Sequence, residues 1–281
     1  MKSTFFLLFL SFSSCHTGNL KVIADLPHIL KEVSGTEIIN DSNSIWMLND
    51  SGNTPKLYEL DSKGKLIKEL VIKAKNKDWE DLTSDKAGNL YIGDFGNNNN
   101  KRKNLSILKI KAKYLKGDTP IAVEYISFKY PNQTKFPPKK KNMHFDCEAF
   151  FHFNDSLYLF TKSRVKSDFG KTNLYKIPAE AGNYNATFIS TFKAGNELGD
   201  WITSADISSN GKKVVLLSPN AAWVFTDFYK DDFFNGNSEK LPFDYHSQKE
   251  GVCFKNENNL YITDEKSNDT GGNLYQLKLK Q

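Results

Sequence analysis

Apolar residues along this chain fall in short runs, alternating or continuous, and sustained helical periodicity is hard to find. The runs are rich in aromatic and β-branched side chains. Clusters of Asn, Asp, Gly, Ser and Lys separate them. This pattern predicts short strands joined by tight turns, hence an all-β chain.

Aligning the runs exposes a repeat, and a repeat outranks other fold signals. Five segments share one plan of three strands. They cover 36–39, 44–50 and 56–60; 79–82, 89–94 and 104–108; 147–150, 156–162 and 173–177; 205–207, 213–218 and 222–225; and 249–252, 259–264 and 273–277. A fourth candidate strand follows each of the first four, at 66–72, 122–130, 187–193 and 240–245. The fifth segment runs out of chain at Gln281. Its missing strand is available at the other end, in 20–24. Five four-stranded units of this kind predict a β-propeller whose N-terminal strand completes the last blade, closing the ring and removing an open edge. The second unit is the longest, because of a polar stretch at 131–142. A sixth blade hidden there is the alternative.

The start of the chain has a separate logic. Lys2 is followed by the apolar run 5–10 and then by Phe12-Ser13-Ser14-Cys15. A charged start, a short apolar stretch and small residues before a cut are the order of a secretory signal. The stretch is too short to span a bilayer, which takes about 20 apolar residues. The small-small-Cys ending resembles the lipobox of bacterial lipoproteins, with Phe12 where Leu is usual. The expected organisation is a signal peptide over 1–14, a lipidated Cys15 and short tether over 15–19, and one propeller domain over 20–281. The resemblance implies export and lipid anchoring to the bacterial cell envelope, at the outer membrane facing the periplasm.

Lys plus Arg exceeds Asp plus Glu by five, 38 against 33, and much of the excess sits in the runs 101–103 and 139–141. No nucleic-acid-reading signature accompanies them, so they read as solvated loops and no nucleic-acid partner is expected. Beyond Cys15 only Cys147 and Cys253 remain, in non-neighbouring units, which predicts two buried thiols.

In a propeller blade the first strand lines the central channel. The start of that strand and the end of the second therefore share one channel mouth. The alignment puts Glu37, Glu80, Glu148 and Glu250 at first-strand starts, with Ala205 in the fourth unit and Asp206 matching Asp81. Second strands end near Asp50, Asp94, Lys162-Ser163-Arg164 and Asp264-Glu265-Lys266. A ring of carboxylates interrupted by basic residues is the expectation. Such a ring needs compensation, either by pairing with Lys, Arg and backbone amides or by a hard cation such as Ca²⁺, which takes six to eight oxygen ligands. The candidate Ca²⁺ ligands are Glu37, Glu80, Glu148, Glu250 and Asp94. His144 and His246 each stand four residues before a repeat Glu and are the candidate catalytic or metal-binding imidazoles. The loop 94–102 carries Gly96 and four consecutive Asn, which suit tight turns and also offer carbonyl ligands.

The run Asp78-Trp79-Glu80-Asp81-Leu82, followed by Leu90-Tyr91-Ile92-Gly93-Asp94-Phe95-Gly96-Asn97-Asn98, resembles a family of bacterial propeller proteins placed beside phytase-like and regulator-linked propellers. Thr203-Ser204-Ala205-Asp206-Ile207-Ser208 and Glu250-Gly251-Val252 fit the same pattern. The resemblance implies the fold and little chemistry. In the calcium-dependent propeller hydrolases, acidic and amide side chains at the channel mouth hold the ion; Glu37, Glu80, Glu148 and Glu250 are the nearest positions here. The expected function is a membrane-anchored binding scaffold for a small molecule or a protein. The alternative is a calcium-dependent hydrolase acting on a phosphate ester or lactone. No nucleophile elbow, phosphate loop or zinc-hydrolase motif is present.

Overall fold

The computed structural model describes residues 17–117, 120–268 and 270–280; the expected signal peptide and Cys15 lie outside them. Strand β1 is Lys21–Asp25. Blade one follows as β2 (Val33–Glu37), β3 (Ser44–Asn49), β4 (Lys56–Asp61) and β5 (Leu66–Val71). Blade two holds β6 (Trp79–Ser84), β7 (Leu90–Asp94), β8 (Leu105–Ile110) and β9 (Glu124–Lys129). Blade three holds β10 (Asp146–Phe153), β11 (Ser156–Lys162), β12 (Lys171–Pro178) and, after the short β13 (Gly182–Asn185), β14 (Thr187–Lys193). Blade four is β15 (Ser204–Ile207), β16 (Lys213–Ser218), β17 (Ala221–Thr226) and β18 (Asn237–Pro242). Blade five is β19 (Lys249–Asn256), β20 (Asn259–Asp264) and β21 (Asn273–Lys278).

The molecule is a five-bladed β-propeller. Strand β1 pairs antiparallel with β21, Lys21 opposite Gln276 and Asp25 opposite Asn273, so the chain start completes the last blade as expected. The inner strands β2, β6, β10, β15 and β19 contact one another in that cyclic order and close the ring. The stretch 131–142 forms a loop and adds no blade. One element was not legible in the repeat: β13 leaves blade three and pairs parallel with β9, adding a fifth strand to blade two. Strand β9 is thereby no longer an open edge.

Burial explains why the beat of apolar residues was so regular. Each blade is covered on both faces by its neighbours. Five apolar clusters result, one between each adjacent pair: Trp46, Trp79 and Ile92 between blades one and two, for example, and Phe151, Phe160 and Phe225 between three and four. Cys147 and Cys253 are free and buried, as predicted.

Candidate metal and ligand site at one channel mouth

Each of four inner strands departs from regular pairing near its start. In β6, Trp79 pairs with Asp94 and pairing resumes at Leu82 opposite Ile92, so Glu80 and Asp81 fall in the irregularity. The same break falls at Ser34 in β2, Glu148 in β10 and Glu250 in β19. A bulge re-aims the side chain it carries. Ser34, Glu80, Glu148, Thr203 and Glu250 consequently line one mouth, around a cavity of about 500 Å³.

Glu37 is not among them, which corrects the repeat alignment. Glu37 pairs with Trp46 lower on β2 and lines the opposite mouth together with Asp206. The reason is register. Val33 pairs with Asn49 as Trp79 pairs with Asp94, so Ser34 occupies the position of the repeat Glu and Glu37 stands three residues further along the strand, beside the 3₁₀ turn at Ile39–Asp41. Blade four shifts likewise. Ser204, not Asp206, meets Asp81 near the axis, donating its hydroxyl to Asp81 Oδ1 at 3.1 Å. Burial and then the charge of Asp206 push the Glu37 carboxyl up, against the hydrogen bond donated by Ser84.

Around the first mouth the carboxylates divide into two groups. One is compensated. Lys162 Nζ donates to Glu148 Oε2 at 2.9 Å, and Arg164 donates to Glu148 Oε1 at 3.1 Å and to Asp146 Oδ2 at 2.5 Å. Both cations lie over the Trp201 ring, at 5.0 and 4.9 Å from its centre. Burial would raise Glu148, but Lys162 and Arg164 outweigh it and hold its carboxyl below the usual range. Burial and the adjacent Glu148 charge push Asp146 the other way, upward. Breaking such a pair leaves a charge buried without its partner, which costs about 3–5 kcal/mol. Because Arg164 still reaches Glu148, Lys162→Met is expected at the lower end, about 3 kcal/mol less stable, measurable by urea unfolding at neutral pH.

The other group lacks comparable compensation. One oxygen each of Asp50, Asp78 and Glu80 lie within 4.8 Å of one another. Glu80 is 8% exposed and accepts no hydrogen bond from any described residue. Burial, followed by the charges of Glu148, Asp50 and Asp78, pushes its carboxyl well above the usual range. Asp78 is raised to about 6, by burial first and the Asp50 charge second, although Arg102 stands 3.8 Å away. Burial also raises Asp50, whose carboxylate accepts from the Ser51 amide. Gly96 makes the cluster possible: a β-carbon there would overlap both the Glu80 and Asp78 carboxylates.

The donor set fits a hard cation. Two ligands of one Ca²⁺ bound at about 2.3–2.6 Å are at most about 5 Å apart, and the triad meets that limit. All three donors are oxygen, which suits Ca²⁺ or Mg²⁺ better than softer metals. Neither Asp50 nor Asp78 is among the ligands expected from the repeat. Each stands just outside a strand end, where the aligned core gives no cue.

The remaining candidates have other placements. Asp94 accepts from Arg102 at 2.9 Å and from the Asp78 amide at 3.3 Å, so it orients the Asp78 segment without joining the triad. Asn97 and Asn100 staple the loop to blade three: the Asn97 amide donates to Asp146, and Asn100 Oδ1 accepts from the Phe145 amide. His144 Nδ1 lies 3.0 Å from Ser163 Oγ, outside the cavity, and burial lowers its pKa. His246 lies 3.1 Å from Asn220 on an adjoining groove. Glu250 and Glu265 do line the cavity; burial raises them to about 7 and about 8.

Fold and mouth together define the class: a five-bladed propeller with a buried acidic cluster able to take a metal ion. No protein-family model and no curated protein matches the sequence. Among solved structures the chain is similar to a gluconolactonase from Xanthomonas campestris, with TM-score 0.52 and 9% identity over 94% of this chain and 92% of that one. It is also similar to a putative gluconolactonase, with TM-score 0.50 and 9% identity over 91% and 78% of the two chains. At these identities the likeness is one of fold.

Proposed function

We propose that this protein is a divalent-cation-dependent binding propeller of the cell envelope. It would hold Ca²⁺ at Asp50, Asp78 and Glu80 and take an oxygen-rich small molecule in the adjoining cavity. The observation that carries the proposal is Glu80, a buried carboxylate with no hydrogen-bond or ion-pair partner among the described residues, aimed into the mouth beside two more carboxylates. When bound, the ion supplies positive charge at a mouth whose other cations are already paired with Glu148 and Asp146. The protein's own groups would orient the ligand between the triad and Trp201. Titration calorimetry of metal-stripped protein with CaCl₂ tests this. One site per chain is expected, and no heat of binding at millimolar Ca²⁺ would refute it.

A second reading, lactone hydrolysis, is favoured by Glu250 and Glu265. Carboxyls that titrate near neutrality at a metal site suit general acid–base work, and proteins named as gluconolactonases share the fold. Turnover of a sugar lactone that disappears in Glu265→Gln would support it; no turnover with Ca²⁺ bound would leave binding alone.

The anchor belongs to the same proposal. Cys15 follows an apolar run and two small residues. The expected result for Cys15→Ala is loss of the protein from carbonate-washed membranes; persistence through that wash would refute lipidation.

A further inference from the structure

The segment preceding β1 reaches the same face of the ring as the candidate metal site. Asn19 Nδ2 donates to Pro242 O at 3.0 Å, and Gly18 packs against Asp244, on the loop that leads into β19. That loop also carries Gln248 at the mouth and His246 on the adjoining groove. Strands β7 and β9 end on this face as well, and their following loops hold the two basic runs. Lys101, Lys103, Lys135, Lys139, Lys140 and Lys141 are all exposed, and none forms an ion pair with a described residue. No Asp or Glu occurs in 95–104 or in 130–145.

The two loops are fastened into one platform. Gln133 Nε2 donates to Asn100 O at 2.9 Å, Asn100 Oδ1 accepts from the Phe145 amide at 2.9 Å, and Lys103 lies over the Phe136 ring at 5.2 Å. Arg102 is turned inward to Asp94, so the outward charge is carried by lysine alone. Solvated loops would be free to spread such charge. Here it is gathered, unpaired and fixed, and it stands on the face from which the chain start emerges.

We infer that this lysine platform docks on an anionic bilayer surface, setting the candidate metal site toward the membrane. The inference rests on the anchor proposed above: from Thr17 to Cys15 the chain spans at most roughly 7 Å, which would hold this face against the lipid. One acyl-anchored point leaves the ring free to tilt. A second, electrostatic contact of clustered lysines fixes its orientation, and it weakens with salt because exposed charges are screened.

The test uses the full chain carrying Cys15→Ala, which removes lipidation, so failure of the anchor and failure of the platform are read separately. Sedimentation is measured with vesicles of neutral phosphatidylcholine and with vesicles that also contain phosphatidylglycerol. Binding at least tenfold tighter to the anionic vesicles is expected, lost in 0.5 M NaCl. It should also fall at least tenfold when Lys139→Glu, Lys140→Glu and Lys141→Glu are combined in the same background. The apolar leader is present in both proteins, so their difference reports the platform. Equal binding to both vesicles, unchanged binding of the triple variant, or binding to a soluble polyanion without binding to anionic vesicles would overturn the inference. Far-ultraviolet circular dichroism and the melting temperature of the triple variant show that it is folded.

Discussion

Combining Asp78→Asn with Glu80→Gln abolishes the rise in melting temperature that Ca²⁺ gives the wild-type protein. A ligand at 100 times its dissociation constant stabilises the native state by about 2.7 kcal/mol. For a domain of this size that corresponds to roughly 5 °C. The double variant removes two of three carboxylate ligands and should show no shift. In chelator the order reverses. The wild-type triad then consists of partly or fully buried carboxyls held near one another with only Arg102, 3.8 Å from Asp78, as nearby counter-charge, and the amides remove that repulsion. The variant should therefore melt at or above the wild type without Ca²⁺ and below it with Ca²⁺. A purely structural role for Asp78 and Glu80 would lower the melting temperature in both conditions.

The carboxyls of the same mouth set a pH dependence. Asp78 is raised to about 6, Glu250 to about 7 and Glu265 to about 8, all by burial first. Groups whose folded pKa exceeds the unfolded value bind protons more tightly in the native state. Their contribution is full below the unfolded carboxylate range and is lost as pH rises through the folded values. Metal-free protein should thus lose stability from about pH 4 to pH 8, and Ca²⁺ should flatten the loss. Chemical unfolding at several pH values in chelator and in Ca²⁺ measures both slopes. A metal-free protein that gains stability over this range would contradict the assignment.

Deleting residues 20–25 unfolds or severely destabilises the propeller. Four β1 residues pair with β21, and Leu20 is 3% exposed within the cluster between blades four and five. Ladder bonds are worth about 1 kcal/mol each, and burying a Leu contributes about 2 kcal/mol. The expected loss is about 6 kcal/mol, with the open β21 edge promoting association. Most of β1 itself is only partly covered, as Val22 is 42% exposed, so pairing carries more of this cost than apolar burial does. A truncated chain that melts where the full chain does would show that closure lies elsewhere.

The repeat was legible because blade faces are buried on both sides, and burial imposes the same choice of residues five times. Trp46, Ile92, Phe160, Val215 and Ile262 all sit at inter-blade positions of second strands. The closing strand was legible for a related reason: the last blade lacked a partner, and the chain start offered the one run left over. Glu80, Glu148 and Glu250 could be placed at one mouth because each stands near the start of its inner strand, and the ring brings those starts together.

The exact membership of that mouth was decided elsewhere. Glu37 shares residue type and approximate spacing with the repeat glutamates, yet it stands three residues beyond the irregularity at Ser34 and so lines the other end of the channel. Side chains at strand starts are governed by pairing register, which the apolar pattern alone does not reveal. Asp50 and Asp78 come from separate loops, one within blade one and one leading into blade two, and meet only once these two blades pack together. The charge on Glu148 was likewise settled by Lys162 and Arg164, which lie on the next strand and the loop beyond. By itself the sequence determined the four repeated strands of each blade, the number of blades and the closure, because these follow from burial along the chain; the added β13 did not. Which carboxylates remained without partners depended on contacts between blades, and only the tertiary structure could decide it, since electrostatic compensation acts through space over a few ångströms irrespective of sequence separation.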